Sequence, residues 1–353
     1  CGALAGFPQI SNYGGAQYLL ASPWVDFFQS PYHYYNRSFP GVHYSQHAPD
    51  SILLHGKLFI DQLDTKTHLK RDDQDNTNAR TPWETEQVLK RDVAHSIMKN
   101  TYCYWMEIYH GVFGGFGAPH NWQPMDFDDP AIRQQIAQLS KLCDEFASLN
   151  TEPVTEVAWF ASKESCYHMR PDYLFERFFV DAQRQWMLCD AGAPFDDFVF
   201  EDIEAVERDY KVMIIPNANY MTTRQRRAIR RRIEEGATAI FFYAPGYVDE
   251  HGASLANIRE LTELNLRYEE RRDWLHVQLT AADHALLNGV KETDFGTNIR
   301  PEVLNRTQEW LKFPGNPVDD YRFNPVFFVD DDDCEVLGEL TDFHLTHPAK
   351  GNA

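Results

Sequence analysis

The feature that most constrains the fold is a regular exchange of short apolar β-runs with capped helical segments. Between residues 157 and 264 the pattern predicts strands at 157–160, 198–201, 212–215 and 239–243, with helices at 173–188, 222–235 and 254–264. Thr222 and Gln225 form a capping-box pair, and Gly236 stands just past the helix end. Such alternation implies a doubly wound parallel sheet covered on both faces. Residues 1–150 carry the same rhythm, with strands expected at 3–7, 25–28, 58–61 and 102–108. Helices are expected at 82–99, opened by Thr81-Pro82-Trp83-Glu84, and at 130–149, opened by Asp129-Pro130. The expected class is α/β in two units, residues 1–150 and 151–353. From about Arg267 the pattern is less regular, apart from a strand at 326–329.

Within the first unit, chemistry concentrates in His55-Gly56-Lys57-Leu58-Phe59-Ile60-Asp61-Gln62-Leu63-Asp64-Thr65-Lys66-Thr67-His68. An apolar strand ends there in two carboxylates, an amide and a histidine. A strand tip is rigid and open, so carboxylates held there can act as nucleophile or acid/base. If the strand has ended by Asp61, both Asp61 and Asp64 face the cleft; otherwise one of them caps the following turn. The loop Gln29-Ser30-Pro31-Tyr32-His33-Tyr34-Tyr35-Asn36-Arg37 offers Tyr32, His33, Tyr34 and Arg37 as stacking faces and donors for a polyol, or packs as a loop of aromatics. His68 and His110 are donors to sugar hydroxyls or metal ligands, or are structural.

Composition narrows the partners. Of the 353 residues 43% are hydrophobic and 14% aromatic, which suits a large core or a sugar cleft. A formal net charge of −20 repels phosphate backbones and anionic lipid, so neither nucleic acid nor a membrane surface is expected as partner. No run approaches the ~18 apolar residues of a membrane span. No leader segment is visible from Cys1 onward, and the sequence leaves the compartment, cytoplasmic or secreted, open. None of the six cysteines forms a CxxC pair, so they read mainly as buried thiols, and no metal site is expected from spacing.

Other motifs read as structural. Asp330 to Asp333 is a solvated turn after a strand. The stretch Asp73-Gln74-Asp75-Asn76-Thr77 with Glu84 matches a calcium loop only superficially, because Asn78 replaces its glycine and Pro82 lies inside it. The helix bearing Arg224, Arg226, Arg227, Arg230, Arg231 and Arg232 reads as a solvated or subunit-contact face. Ser162-Lys163-Glu164-Ser165 follows the first strand of the second unit but has no glycine, so no flavin or other cofactor is expected.

Taken in order, Ser22-Pro23-Trp24-Val25-Asp26-Phe27-Phe28-Gln29-Ser30-Pro31-Tyr32, Asn36-Arg37, the Gly56-Lys57 to Thr67-His68 stretch, Tyr104-Trp105-Met106-Glu107 and Asp128-Asp129-Pro130 resemble glycoside hydrolases of clan A, close to the family 42 β-galactosidases. The resemblance implies a partial (β/α)8 barrel holding strands five to eight, followed by a flavodoxin-like trimerisation-type domain. A whole barrel needs about 250 residues. By the same resemblance, the strand carrying the acid/base glutamate would lie before Cys1. It also implies hydrolysis of β-galactosides or related β-glycosides, with a carbohydrate as the partner molecule. The alternative is a non-catalytic carbohydrate-binding or assembly module.

One position departs from that family. Where a catalytic glutamate often stands, this chain has Gln62, and an amide cannot attack an anomeric carbon as a carboxylate does. Gln62 reads in three ways: a natural residue with Asp61 or Asp64 acting instead, an engineered exchange, or lost catalysis with retained sugar binding. Glu107 is the natural partner carboxylate. Strand alternation puts it on one face with Trp105, the expected sugar platform. The competing reading makes Trp105 core and pairs Glu107 with Arg37 or Lys66. A partial barrel leaves two strand edges open, so a homo-oligomer, dimer or trimer, is expected.

Overall fold

The computed structural model describes residues 16–33, 37–69, 79–106, 127–149, 151–168, 188–189, 191–270, 275–291, 294–295, 324–342 and 351–352. The expected strand at 3–7, the bulk of the helix at 173–188 and the calcium-like stretch at 73–77 lie outside them.

Residues 27–105 hold a three-stranded parallel sheet in the order β1-β2-β3, built from β1 (Phe27–Pro31), β2 (Leu58–Leu63) and β3 (Tyr102–Trp105). Pro31 lies opposite Gln62, and Gln62 opposite Tyr104. Alternation along β2 sends Phe59, Asp61 and Leu63 to a buried face and Leu58, Ile60 and Gln62 to an open one. Helices α1 (Ala16–Ala21), α2 (Pro49–Leu54), α3 (Pro82–Met98) and α4 (Pro130–Ala147) accompany the sheet. Phe59 packs with Leu20, Ile52 and Val199; Leu63 packs with Tyr32, Leu89, Val93, Ile132 and Leu139. Both long helices start as expected. Thr81 accepts a hydrogen bond from the Glu84 N–H, Asp129 accepts from those of Ala131 and Ile132, and each helix has proline in its first turn. The inward stripe of α3 is Thr85, Val88, Leu89, Asp92, Val93 and Ser96, a helical repeat with polar groups inside it.

Residues 157–241 hold a second parallel sheet in the order β5-β4-β6-β7, from β4 (Val157–Ala161), β5 (Phe195–Val199), β6 (Val212–Ile215) and β7 (Thr238–Phe241). Ala158, Phe160, Met213 and Ile215 pack on one face with Ile229 of α5 (Thr223–Glu234) and Leu261 of α6 (Leu255–Thr262). Trp159 and Ala161 fill the other face with Phe195 and Ile214. The capping box of α5 is present in full. Its arginines differ from a solvated face. Arg226 is buried against Asp249 at 2.9 Å, Arg232 donates to the carbonyls of Arg208 and Val206, and Arg224, Arg227 and Arg231 stay exposed. The helix turns two cations inward because carboxylate and carbonyl partners wait there.

The parallel rhythm stops at Phe241. After the short hairpin β8 (Val248–Asp249) and β9 (Gly252–Ala253) comes an antiparallel six-stranded sheet, which the pattern beyond Arg267 does not announce. Its strands are β10 (Leu266–Glu269), β11 (Leu275–Leu279), β12 (Asp294–Phe295), β13 (Val326–Val329), β14 (Gly338–Asp342) and β15 (Gly351–Asn352). They run in the order β10-β13-β15-β14-β11-β12 around Val326, Phe328, Leu340 and Val277. The aspartate run after β13 is a turn, in which Asp331 accepts hydrogen bonds from the N–H groups of Asn265 and Asp333. Of the five described cysteines only Cys166 is buried, the other four being partly exposed, and all five are free thiols.

The edge strand β5 is closed by α2. Asp50 accepts from the Asp197 N–H at 2.7 Å and from Lys99 Nζ at 2.8 Å, while Ser51 Oγ accepts from the Val199 N–H at 2.8 Å. Side chains of α2 thus satisfy the outer ladder of the second sheet.

Candidate functional site

Two polar clusters lie on opposite faces of β2. On the open face, near the C-terminal ends of the strands, Gln29, Gln62 and Tyr104 hydrogen-bond one another. Gln29 Nε2 donates to Gln62 Oε1 at 3.2 Å, and the Tyr104 hydroxyl donates to the same oxygen at 2.9 Å. Ile60 is half-buried on that face, and Phe27, Leu58 and Tyr102 are exposed on it. The result is a neutral donor–acceptor set on an apolar floor. Burial and the nearby charge of Asp64 both push the Tyr104 hydroxyl up, so it stays a donor at neutral pH.

The covered face holds the charged groups. Asp61 does not end the strand: β2 continues to Leu63, so alternation turns Asp61 toward α3, away from Gln62. This corrects the expectation that Asp61 opens onto a cleft. Its Oδ2 lies 3.4 Å from His43 Nε2, 3.7 Å from His95 Nδ1 and 3.4 Å from Ser96 Oγ. His43 Nδ1 lies 3.1 Å from Asp92 Oδ1, and Asp92 accepts from Thr65 Oγ1 at 2.7 Å and Arg91 Nη2 at 2.8 Å. Burial opposes the charge of Asp61, but the hydrogen bond from His43 and the imidazole of His95 3.7 Å away outweigh it and hold the carboxyl below the usual range. Asp92 is held low in the same way, by Arg91 and His43. His43 is raised, because Asp61 and Asp92 overcome its burial. Burial and the adjacent His43 push His95 down to about 4.

Arg37 joins this layer. It donates to Asp64 Oδ1 at 2.9 Å and to the Asp64 carbonyl, and it lies 4.4 Å over the Tyr32 ring. Tyr32 stacks on His43 at 4.4 Å and touches Thr65 through its hydroxyl. Burial pushes the Asp64 carboxyl up while Arg37 pulls it down.

Several expected ligand contacts are therefore placed inside the protein. Tyr32, His33 and Arg37 are buried, with His33 stacked on Tyr44 at 4.5 Å. They pack because the return of the chain through Tyr44 and Ser45 covers them. His68 Nδ1 pairs with Thr85 Oγ1 at 2.9 Å and ties the loop after β2 to α3. Trp105 points to the helix layer, packed with the Leu63–Val93 cluster and edge-on to Phe127 at 6.0 Å. It does not stand on the face that carries Gln62. Tyr34, Glu107 and His110 lie outside the described residues.

Gln29, His43, Asp92 and His95 were not singled out from the sequence. Asp92, His95 and Ser96 had a readable signal, since they interrupt or border an apolar helical stripe. His43 lies on an irregular loop and had none. His43, Asp61 and His95 also form the one histidine–carboxylate group among the described residues with metal-ligand spacing, their candidate atoms lying within 4.8 Å of one another.

The turn after β4 is a nest of N–H groups filled from within. Glu201 Oε1 accepts from the N–H groups of Lys163 and Glu164 at 2.8 Å and from Ser162 Oγ at 2.9 Å. An outside anion would have to displace this carboxylate. No helix among the described residues is long and apolar enough to cross a membrane.

No protein-family model matches the chain, and no curated protein matches it. Solved structures do. A β-galactosidase from Bifidobacterium adolescentis is 17% identical over 33% of this chain and 63% of its own, with a TM-score of 0.25. A catalytic mutant of Gan42B, a GH42 β-galactosidase from G. stearothermophilus, is 13% identical over 92% of this chain and 44% of its own, with a TM-score of 0.46. The cold-adapted β-galactosidase from Rahnella sp. R3 is 14% identical over 85% of this chain and 42% of its own, with a TM-score of 0.49. The chain spans less than two thirds of the first and under half of the other two.

Proposed function

We propose that this chain acts on β-glycosides, with β-galactosides as the leading class, and that the sugar lies at the C-terminal edge of the first sheet. The observation that carries the reading is the Gln29–Gln62–Tyr104 set on the open face. Neutral amides and a phenol beside exposed apolar side chains suit a neutral molecule rich in hydroxyls, and strand ends of parallel sheets are where ligands bind. The motif resemblance supports the same class. In this reading the sheet β1-β2-β3 with its helices is part of a (β/α)8 barrel. The unit ordered β5-β4-β6-β7 is flavodoxin-like, since that order follows the flavodoxin pattern 2-1-3-4.

Hydrolysis needs two carboxylates across the bond. Asp64, one residue beyond β2, and Glu107, two residues beyond β3, are the pair assigned to it. Asp61 acts from the covered face, holding β2 through His43. A second reading, sugar binding without turnover, is favoured by Gln62 at the tip of β2 and by the grip of Arg37 on Asp64.

A panel of aryl β-glycosides separates the two, assayed with the natural chain beside Asp64→Asn and Glu107→Gln. Turnover on a galactoside that one exchange lowers by about 10³-fold or more supports hydrolysis. Binding without turnover selects the second reading. Neither turnover nor binding overturns both.

A further inference from the structure

We propose that His43, Asp61 and His95 bind one divalent transition-metal ion, zinc foremost, which fastens the loop around His43 and helix α3 to strand β2. The site lies on the covered face of the sheet, and it stands whether or not the chain acts on sugars.

Spacing is the first support. A zinc ion bonded to nitrogen and oxygen at about 2.0–2.2 Å sets tetrahedral ligand atoms about 3.3–3.6 Å apart. Asp61 Oδ2 lies 3.4 Å from His43 Nε2 and 3.7 Å from His95 Nδ1. The 3.4 Å separation falls in that range and the 3.7 Å one lies just beyond it, before any adjustment around an ion.

The second support is a pair of polar atoms without a hydrogen-bond partner. Asp61 Oδ1 and His95 Nδ1 are both buried and unsatisfied. Buried polar atoms are nearly always paired, so an unpaired imidazole nitrogen 3.7 Å from a carboxylate that has an unpaired oxygen of its own calls for something between them. A proton shared from His43 to Asp61 accounts for part of the cluster but leaves both of these atoms bare. A cation among the three residues engages His95 Nδ1 directly.

Orientation is the third. His43 turns Nδ1 toward Asp92, itself fixed by Thr65 and Arg91, and so presents Nε2 to Asp61. A carboxylate behind an imidazole is the usual support of a metal-bound histidine. Two imidazoles and a carboxylate suit zinc and its first-row neighbours rather than calcium or magnesium, which take oxygen ligands. Entry runs past His95, whose side chain is 16% exposed while those of His43 and Asp61 are 1% and 0% exposed.

The test uses the full chain, stripped with chelator and titrated with zinc and then with cobalt(II). One equivalent of zinc is expected to bind with micromolar or tighter affinity and raise the melting temperature. Cobalt is expected to give the visible bands of a low-coordinate site without a thiolate charge-transfer band. His95→Gln, at the rim, should weaken zinc at least tenfold while circular dichroism stays unchanged. Asp92→Asn should weaken it about 10–100-fold through the orientation of His43. No binding above background, a thiolate band, or undiminished affinity in a folded His95→Gln protein would overturn the site.

Discussion

Residue Arg37 shows how much of the charged layer is self-contained. It is 1% exposed, donates twice to Asp64 and covers the Tyr32 ring. Arg37→Met would leave Asp64 buried without its cation, and should lower stability by about 3–5 kcal/mol in urea unfolding. His95 makes a pH prediction. Its folded value of about 4 lies below the ordinary 6.5, so the unfolded chain takes up the proton first. Stability from this group is complete above pH 6.5 and falls as pH drops toward 4, by up to about 3 kcal/mol. His43 has the opposite sign: its contribution is full below the ordinary histidine value and is lost as pH rises through its raised one. Urea midpoints taken in chelator across the acid range should decline in the natural chain and decline less in His95→Gln. Equal slopes would contradict the placement of His95 beside His43.

Among the elements, α2 governs how the two parallel sheets meet. Asp50 links Lys99 and the Asp197 N–H, so Asp50→Ala strips a partner from a half-buried ammonium and from an edge strand at once. A loss of about 2–3 kcal/mol is expected, read by thermal or urea unfolding. The long helices and parallel strands were legible because their signals are local. Thr81-Pro82 and Asp129-Pro130 mark helix starts, and 157–160 and 212–215 are compact apolar runs. The antiparallel sheet was not legible, since Leu266–Glu269 pairs with Val326–Val329 and neither segment specifies the other nearby in sequence. The charged layer was half legible. Asp61, Asp64 and Arg37 stood out as chemistry, but their direction depended on whether β2 ends at 61 or 63. Because β2 continues past Asp61 to Leu63, alternation places Asp61 with Phe59 and Leu63 rather than with Gln62.

At the scale of the whole molecule, the open face of the first sheet matters most. Phe27, Leu58 and Tyr102 are 51%, 46% and 55% exposed in one band across three strands. Exposed apolar surface of this kind marks contact sites. Assembly through this band is predicted, so light scattering behind size exclusion should show a dimer or trimer that Tyr102→Asp dissociates. A monomer at high concentration would count against it. The same face carries the central claim, that a neutral sugar is held by Gln29, Gln62 and Tyr104. The most direct test is calorimetric titration of a β-galactoside into the natural chain and into Gln62→Leu, matched for oligomeric state and melting temperature. Measurable binding is expected, weakened at least tenfold, about 1.4 kcal/mol, by Gln62→Leu. Equal affinity in the two proteins, or no binding by the natural chain, would contradict it.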